Sequence, residues 1–307
     1  MSNLSRRAFL ASAGSAAVVG LSMFNPRMRM FTGIAFDRVR FLFREKPPLI
    51  STVLVDCDGT LYRKDSSLEA LKRKFGSTKG EDLHKSILTY VKNGTLSLDQ
   101  ALLRGFELLT HSDGGFNIHM WEEILYDFKR AGEFRQGLID ALLDLQSHGM
   151  KVVIGTRGSE LSAHWIARNF GFMADRTMYF GTHCETDRAG QVTDLIELIG
   201  SEDGMIYDGS GKPVKVTTKI EKTRSVLAGS GVNFYPDLTA TFTDDILDRD
   251  VIVSVGRSVL LLPTQKNERS GLQSAALQFG FYDRVCFDDP RSDPSGERLK
   301  RELLASL

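Results

Sequence analysis

The sequence has few cysteines, and they do not pair. Cys57, Cys184 and Cys286 lie far apart. None belongs to a CxxC pair or a zinc spacing, and an odd count does not suggest a disulfide framework. Six histidines are scattered, with no HxH and no HExxH. There is no phosphate loop of the form GxxxxGKS or GxxxxGKT and no GxGxxG, which removes the usual nucleotide-binding signals. Charge of one sign is also missing. Lys+Arg and Asp+Glu are both 39, so the formal net charge is zero. The chain lacks the global basic excess of a nucleic-acid binder, and no nucleic-acid partner is expected. No internal repeat or low-complexity tract is present. Apolar residues make up 42% of 307, ample for one large domain or two modest ones.

The distinctive stretch is Val53 to Tyr62, VLVDCDGTLY. A short β-branched run closed by glycine reads as a buried strand entering a turn. It ends in Asp56 and Asp58, two carboxylates one residue apart. At about 4 Å and an effective dielectric near 20, like charges repel by roughly 4 kcal/mol. Either a cation neutralises such a pair or one member holds a proton. Cys57, between them, points to the core by strand alternation and is expected to be inert.

The N-terminus does not read as part of a globular fold. Arg6-Arg7 precedes an uncharged run from Ala8 to Pro26, rich in Ala, Gly and Ser. The pattern resembles a twin-arginine export signal, which implies recognition by the export machinery and a location in the periplasm or on the outer face of the inner membrane. Small-residue triplets lie inside the apolar run, so a cleavage site is not fixed. A helix from Ala8 to Phe24 would span about 26 Å, slightly short of a bilayer core; it is either removed or persists as a weak anchor. Residues 27–46 are basic, with Phe31, Ile34, Ala35, Val39 and Leu42 at helical spacing. That pattern permits a helix on an anionic membrane surface, and equally one packed on the protein's own core.

Pro47-Pro48 prepares a first strand over about 49–56. Helices are predicted near 67–75, 81–93, 97–111 and 118–131. Ser66/Glu69 and Ser97/Gln100 have capping-box spacing, and Gly76 and Gly94 sit at expected helix ends. The pattern then alternates. Predicted strands lie at 151–156, near 177–182, at 240–243, 258–262 and 284–287, and helices near 137–145, 159–170, 219–227 and 295–306. Strands alternating with helices indicate a doubly wound, mostly parallel α/β sheet. Its ligands bind at the carboxyl ends of the strands, where Asp56, Thr156 and Asp244 stand.

Four of these features together resemble the haloacid dehalogenase-like (HAD) superfamily, in its phosphoserine-phosphatase-like branch with an inserted helical C1-type cap. Asp56-Cys57-Asp58-Gly59-Thr60 matches the DxDGT motif. Thr156 matches the second motif, Lys219 the third, and Thr243-Asp244-Asp245-Ile246-Leu247-Asp248 resembles the fourth, usually GDSxxD. Gly181 to Glu185, followed by Asp187, Gly190 and Thr193, resembles the stretch between motifs two and three. The resemblance implies domains at 1–26 (signal or anchor), 27–48 (basic linker), 49–66 with 133–307 (α/β core) and 67–132 (helical cap).

It also implies roles. Asp56 would attack phosphorus and form an aspartyl-phosphate. Asp58, which the dehalogenases lack, would protonate the leaving oxygen and then activate water. Thr156, Arg157 and Lys219 would receive the phosphate, with Lys212, Lys215 and Lys222 as rivals to Lys219. Mg²⁺ would bind Asp56, Asp58 through its backbone carbonyl, and Asp244. Asp248 would support a ligand or Lys219 from behind, and Asp245 would either meet the metal or cap the next helix. The expected function is Mg²⁺-dependent hydrolysis of a small phosphomonoester. The alternatives are a membrane-surface lipid-phosphate phosphatase and a non-catalytic envelope binding protein of the same fold.

Overall fold

Strand β1, Thr52–Val55, is buried at every position and forms the middle of the molecule. The computed structural model describes residues 50–110 and 116–307. The export signal and the basic segment 27–46 lie outside the described residues. Among the described residues, no helix is long and apolar enough to cross a membrane.

After β1 come four helices: α1 (Ser66–Phe75), α2 (Ser77–Lys92), α3 (Leu98–Thr110) and α4 (Ile118–Arg130). The alternating part follows with α5 (Gln136–Ser147), β2 (Lys151–Ser159), α6 (Glu160–Asn169), β3 (Thr177–Thr186), β4 (Val192–Gly200), β5 (Gly204–Tyr207), β6 (Pro213–Thr218) and α7 (Lys219–Gly229). The chain ends with β7 (Thr239–Thr243), α8 (Arg249–Ser254), β8 (Arg257–Pro263), α9 (Gly271–Phe279), β9 (Arg284–Asp288) and α10 (Glu297–Leu304).

All nine strands form one sheet in the order β5-β6-β4-β3-β2-β1-β7-β8-β9. From β3 to β9 every neighbouring pair is parallel, as expected for a doubly wound core. β1 pairs with β2 on one side and β7 on the other, Val55 standing opposite both Ile154 and Phe242. The carboxyl ends of these three strands therefore meet at one edge. Successive β1 side chains point to opposite faces. Val53 and Val55 join a large apolar cluster with Leu138, Leu142, Trp165 and Ile166. Leu54 joins a second cluster with Val153, Phe180, Leu227 and Val251.

Three strands were not foreseen. β3 turns back antiparallel into β4, which pairs in parallel with β6, and β5 closes the edge antiparallel to β6. β4 to β6 carry mixed polar and apolar residues, with β5 exposed along most of its length. A weak alternation of this kind does not stand out by periodicity alone.

The four helices after β1 are tied to the sheet. Trp121, Ile124, Leu125 and Phe128 of α4 share the large apolar cluster, and the Trp121 indole donates to the Ser162 hydroxyl at 2.6 Å. Leu103 and Phe106 of α3 pack on Leu198, Val214 and Val216. The Ser97/Gln100 capping box forms, with bonds of 3.0 and 3.1 Å. The Ser66/Glu69 box does not. Asp65 caps α1 instead, accepting from the Leu68 amide, because the Ser66 amide is committed elsewhere.

Candidate active site

The turn after β1 is wound around one carbonyl. The amides of Thr60, Leu61 and Tyr62 all donate to the Cys57 oxygen at 2.8 to 3.3 Å. Cys57 itself is fully buried in the core, and burial first, then the charges of Asp56 and Asp58, pushes its thiol well up. As expected, it is unreactive packing. The turn thus presents Asp56 and Asp58 on its other side.

Asp56 meets Lys219, whose ammonium lies 2.5 Å from its Oδ1. Lys219 is the first residue of α7 and is 2% exposed. Its other partner is the Asp248 carboxylate at 2.8 Å. Asp248 also accepts from Thr243 Oγ1 at 2.8 Å and Arg157 Nε at 3.2 Å. The rival lysines face elsewhere. Lys215 and Lys222 bind Glu197, and Lys212 binds Asp194.

Asp58 turns the other way. Its Oδ1 accepts from the Ser66 amide at 2.6 Å, and its Oδ2 lies 3.5 Å from Thr156 Oγ1. That hydroxyl accepts in turn from the Gly158 amide at 3.0 Å. Ser66 opens α1, so Asp58 also neutralises the positive end of that helix. With its carboxylate occupied there, Asp58 has its backbone oxygen left as a donor for a metal.

Asp244 follows β7 directly. Thr60 Oγ1 donates to its Oδ1 and Gln273 Nε2 to its Oδ2, both at 2.9 Å. Gly59 lies against it with φ +74°, and a Cβ there would stand 2.1 Å from Asp244 Oδ2. The Asp245 side chain accepts from the Leu247 amide at 3.2 Å and caps the following turn.

Arg157 is a correction. The sequence reading placed it among the phosphate-binding residues. Its guanidinium is turned instead into a buried acidic pair, Asp248 at 3.2 Å and Asp250 at 2.7 Å. It further donates to the carbonyls of Gly200 and Leu247. Four donor bonds leave little of its five-proton fork for a ligand.

Two residues escaped the sequence reading. Arg135, 3% exposed, reaches back to the carbonyls of Gly59 and Thr60 and pairs with Asp288 at 2.8 Å. Gln273 belongs to a capping box with Ser270. The helix it opens was not predicted, and nothing local in the sequence signals its reach to Asp244, 29 positions away. Arg135 left no local signal, since its partners are 75 and 153 positions away.

Burial sets the electrostatics. It pushes Asp56 up to about 7, against the pull of Lys219. It pushes Asp58 up to about 6, helped by the charge of Asp65. Asp245 rises to about 6 and Asp244 rises well above the carboxylate range, again chiefly through burial. Asp248 alone is held low, because Lys219 and Arg157 outweigh its burial. The cations nearby are already shared with Asp248, Asp250 and Asp288. Among the described residues, no three His, Cys, Asp or Glu side chains converge as a ready cage. The donor chemistry nonetheless fits a hard divalent cation: only oxygens are offered, and burial disfavours the charged forms of Asp56 and Asp244, which a cation between them would restore.

Comparison with known proteins agrees with this geometry. A family model for haloacid dehalogenase-like hydrolases matches residues 50–194. No curated protein sequence matches the chain significantly. Among solved structures, a phospho-aspartyl intermediate analogue of phosphoserine phosphatase is 16% identical, covering 80% of this chain and 98% of that one, with a TM-score of 0.51. A substrate-bound phosphoserine phosphatase complex is also 16% identical, over 80% and 97% of the two chains, with a TM-score of 0.51. A protein of unknown function from Bordetella pertussis Tohama I is 18% identical over 78% and 99%, with a TM-score of 0.53. At such identities the likeness is one of fold.

Proposed function

We propose that this chain belongs to the haloacid dehalogenase-like hydrolases and is a Mg²⁺-dependent phosphatase that passes a phosphoryl group through Asp56. The observation that carries the reading is the pairing between the carboxyl end of β1 and the first residue of α7. A carboxylate only 13% exposed, Asp56, lies 2.5 Å from a buried lysine, and Asp58 follows two residues later with a separate set of partners. The fold likeness to the phospho-aspartyl analogue of phosphoserine phosphatase adds support.

Asp56 is the nucleophile in this reading. Lys219 favours its ionised form against burial and faces the equatorial oxygens of the phosphate, where charge must be neutralised. Thr156 donates its hydroxyl to the same group. Asp58 holds and moves the proton: its pKa, pushed up to about 6, suits a group that must give a proton near neutrality and take one back. It delivers that proton to the leaving alcohol oxygen, then accepts one from the water that frees Asp56. Asp56, Asp244 and the Asp58 carbonyl would hold the Mg²⁺. When bound, the ion supplies charge to the phosphoryl oxygens and offsets the repulsion among the carboxylates. The helices of 67–132 serve as the cap over the cleft.

The test is turnover of an aryl phosphate with Mg²⁺ and with chelator. Wild type is expected to be active only with the metal, and Asp56→Asn to lose at least a thousandfold in kcat. An Asp56→Asn enzyme at full rate would falsify the covalent mechanism. Export is a separate proposal, resting on Arg6-Arg7 and the uncharged run after them. Replacing both arginines by lysine should hold the protein in the cytoplasm; an unchanged distribution would rule export by that route out.

A further inference from the structure

The cavity above the acidic floor has an unusual lining for a small polar metabolite. Its volume is about 360 Å³, and it runs from Asp56, Asp58 and Lys219 up between α1, α2 and α3. The upper wall is made by Leu71, Ile87, Leu88, Val91, Leu102 and Phe106. Helix α2 has its own apolar stripe, Ile87, Leu88 and Val91, facing this space. The sheet does not cover the stripe: Ile87 and Val91 are half-buried, and Leu88 is 37% exposed. Apolar side chains left half-covered beside a catalytic floor gain most from a ligand that completes their burial.

The charged side chains of the wall each have a protein partner. Arg63 binds Asp288 at 2.5 and 3.1 Å and the Gly132 carbonyl at 2.9 Å. Lys64 pairs with Glu133 at 3.2 Å. His84 and Asp65 bind each other at 2.9 Å. An amino-acid headgroup entering this cavity would have to share charges already engaged in these pairs. An apolar body would break none.

We infer that the substrate is a phosphomonoester whose alcohol is an apolar group, with its phosphate on the acidic floor and its body along the α2 stripe. This rests on the phosphatase reading and names the substrate class for that site. At about 30 Å³ per water-sized group the cavity seats about a dozen heavy atoms. A phosphate uses five, which leaves room for a body of about seven carbons. At about 0.8 kcal/mol per buried CH₂, each methylene strengthens binding about three- to fourfold until the cavity is filled.

The experiment uses the full chain and two parallel series. kcat/KM is measured for methyl, butyl, hexyl and octyl phosphate, with phosphoserine as the polar control. Calorimetric binding is measured for methyl, butyl, hexyl and octyl phosphonate, which cannot be hydrolysed at the P–C bond. Both series should strengthen stepwise to about seven or eight carbons and then level off, and octyl phosphate should exceed phosphoserine by at least a hundredfold. Leu88→Asp, a change at a partly exposed position, should cut the octyl-to-methyl ratio at least tenfold in both series. Turnover that is flat with chain length, or highest on phosphoserine, overturns the inference while leaving the phosphatase reading intact. Phosphonate binding that grows with chain length in a protein that hydrolyses nothing upholds the apolar site and overturns the phosphatase reading. Phosphonate binding that is flat with length, turnover or none, overturns the inference.

Discussion

Gly59 and Gln273 fix Asp244 from two sides. Gly59 has a φ of +74°, and a Cβ on it would overlap the Asp244 carboxylate. A non-glycine residue in this region costs about 1–2 kcal/mol for the backbone alone. The overlap adds to that cost and moves Asp244. Gly59→Ala is therefore expected to lose at least a hundredfold in kcat/KM and to lower Tm, read by steady-state kinetics and calorimetry; activity within twofold of wild type would show that Asp244 need not stand there. Gln273 acts by a different means. Its amide gives Asp244 one of its two hydrogen bonds, and it touches neither Asp56 nor Lys219. Groups that orient a metal ligand typically matter 10–100-fold in metal affinity. Gln273→Ala should raise the Mg²⁺ concentration for half-maximal activity by about that factor, with little change in kcat at saturating Mg²⁺. A parallel loss of kcat at all Mg²⁺ levels would place Gln273 outside that role.

At the scale of elements, a titratable pair joins α2 to the start of α1, beside the Lys72–Glu81 pair at 3.0 Å. His84 sits on α2 and Asp65 caps α1, with 2.9 Å between them. Burial pulls the His84 pKa down, but the hydrogen bond and charge of Asp65 outweigh it, and the net direction is up. Asp65 moves down: burial pushes it up, but His84 and amide hydrogen bonds outweigh that. A raised histidine contributes fully below its unfolded value near 6.5, and the contribution is lost as pH rises through the folded value. The Asp65 carboxylate is 42% exposed, so solvent screening limits the pair to about 0.5–1 kcal/mol. His84→Gln should therefore destabilise at pH 6 and be nearly neutral at pH 9 in urea unfolding. Equal destabilisation at both values would assign His84 a packing role alone. Elements also differ in how clearly the sequence announces them. The parallel strands could be read because Val53-Leu54-Val55 and Val152-Val153-Ile154 are short, wholly apolar runs bounded by turns, and strands buried on both faces look like that. Asp56 and Thr156 followed, since each stands just past such a run, and Asp244 followed from its place in the order of motifs. β4 to β6 could not be read, because Thr193, Asp194, Glu197 and Lys215 interrupt their apolar positions. Arg157 was misread for a related reason. A basic residue after a strand looks like a phosphate ligand until Asp250, 93 positions away, is seen to claim it.

Across the whole molecule, that same arginine joins the acidic floor to the helical wall. Arg157 holds Asp248, which holds Lys219, and its other branch donates to the Gly200 carbonyl at the end of β4. The next amide, Ser201, donates to Asp99 of α3 at 2.6 Å. Asp99 is 7% exposed, and it lies so near that a Cβ on Gly200 would stand 2.7 Å from its carboxylate. The chain of contacts thus runs from Lys219 through Arg157 and the β4 end to the helix that carries Leu102 and Phe106. A shift of α3 against β4 changes the cavity wall and loosens the last turn that fixes Arg157. Leaving the half-buried Ser201 amide without its acceptor costs about 1 kcal/mol, the low end of the range for a buried donor. Asp99→Ala should lower stability by about that amount in urea unfolding, and it should reduce kcat/KM on an aryl phosphate even though Asp99 touches none of the proposed reacting groups. Asp99→Asn keeps an acceptor oxygen and should restore most of both. If Asp99→Ala loses stability and keeps full activity, the floor and the wall are held independently.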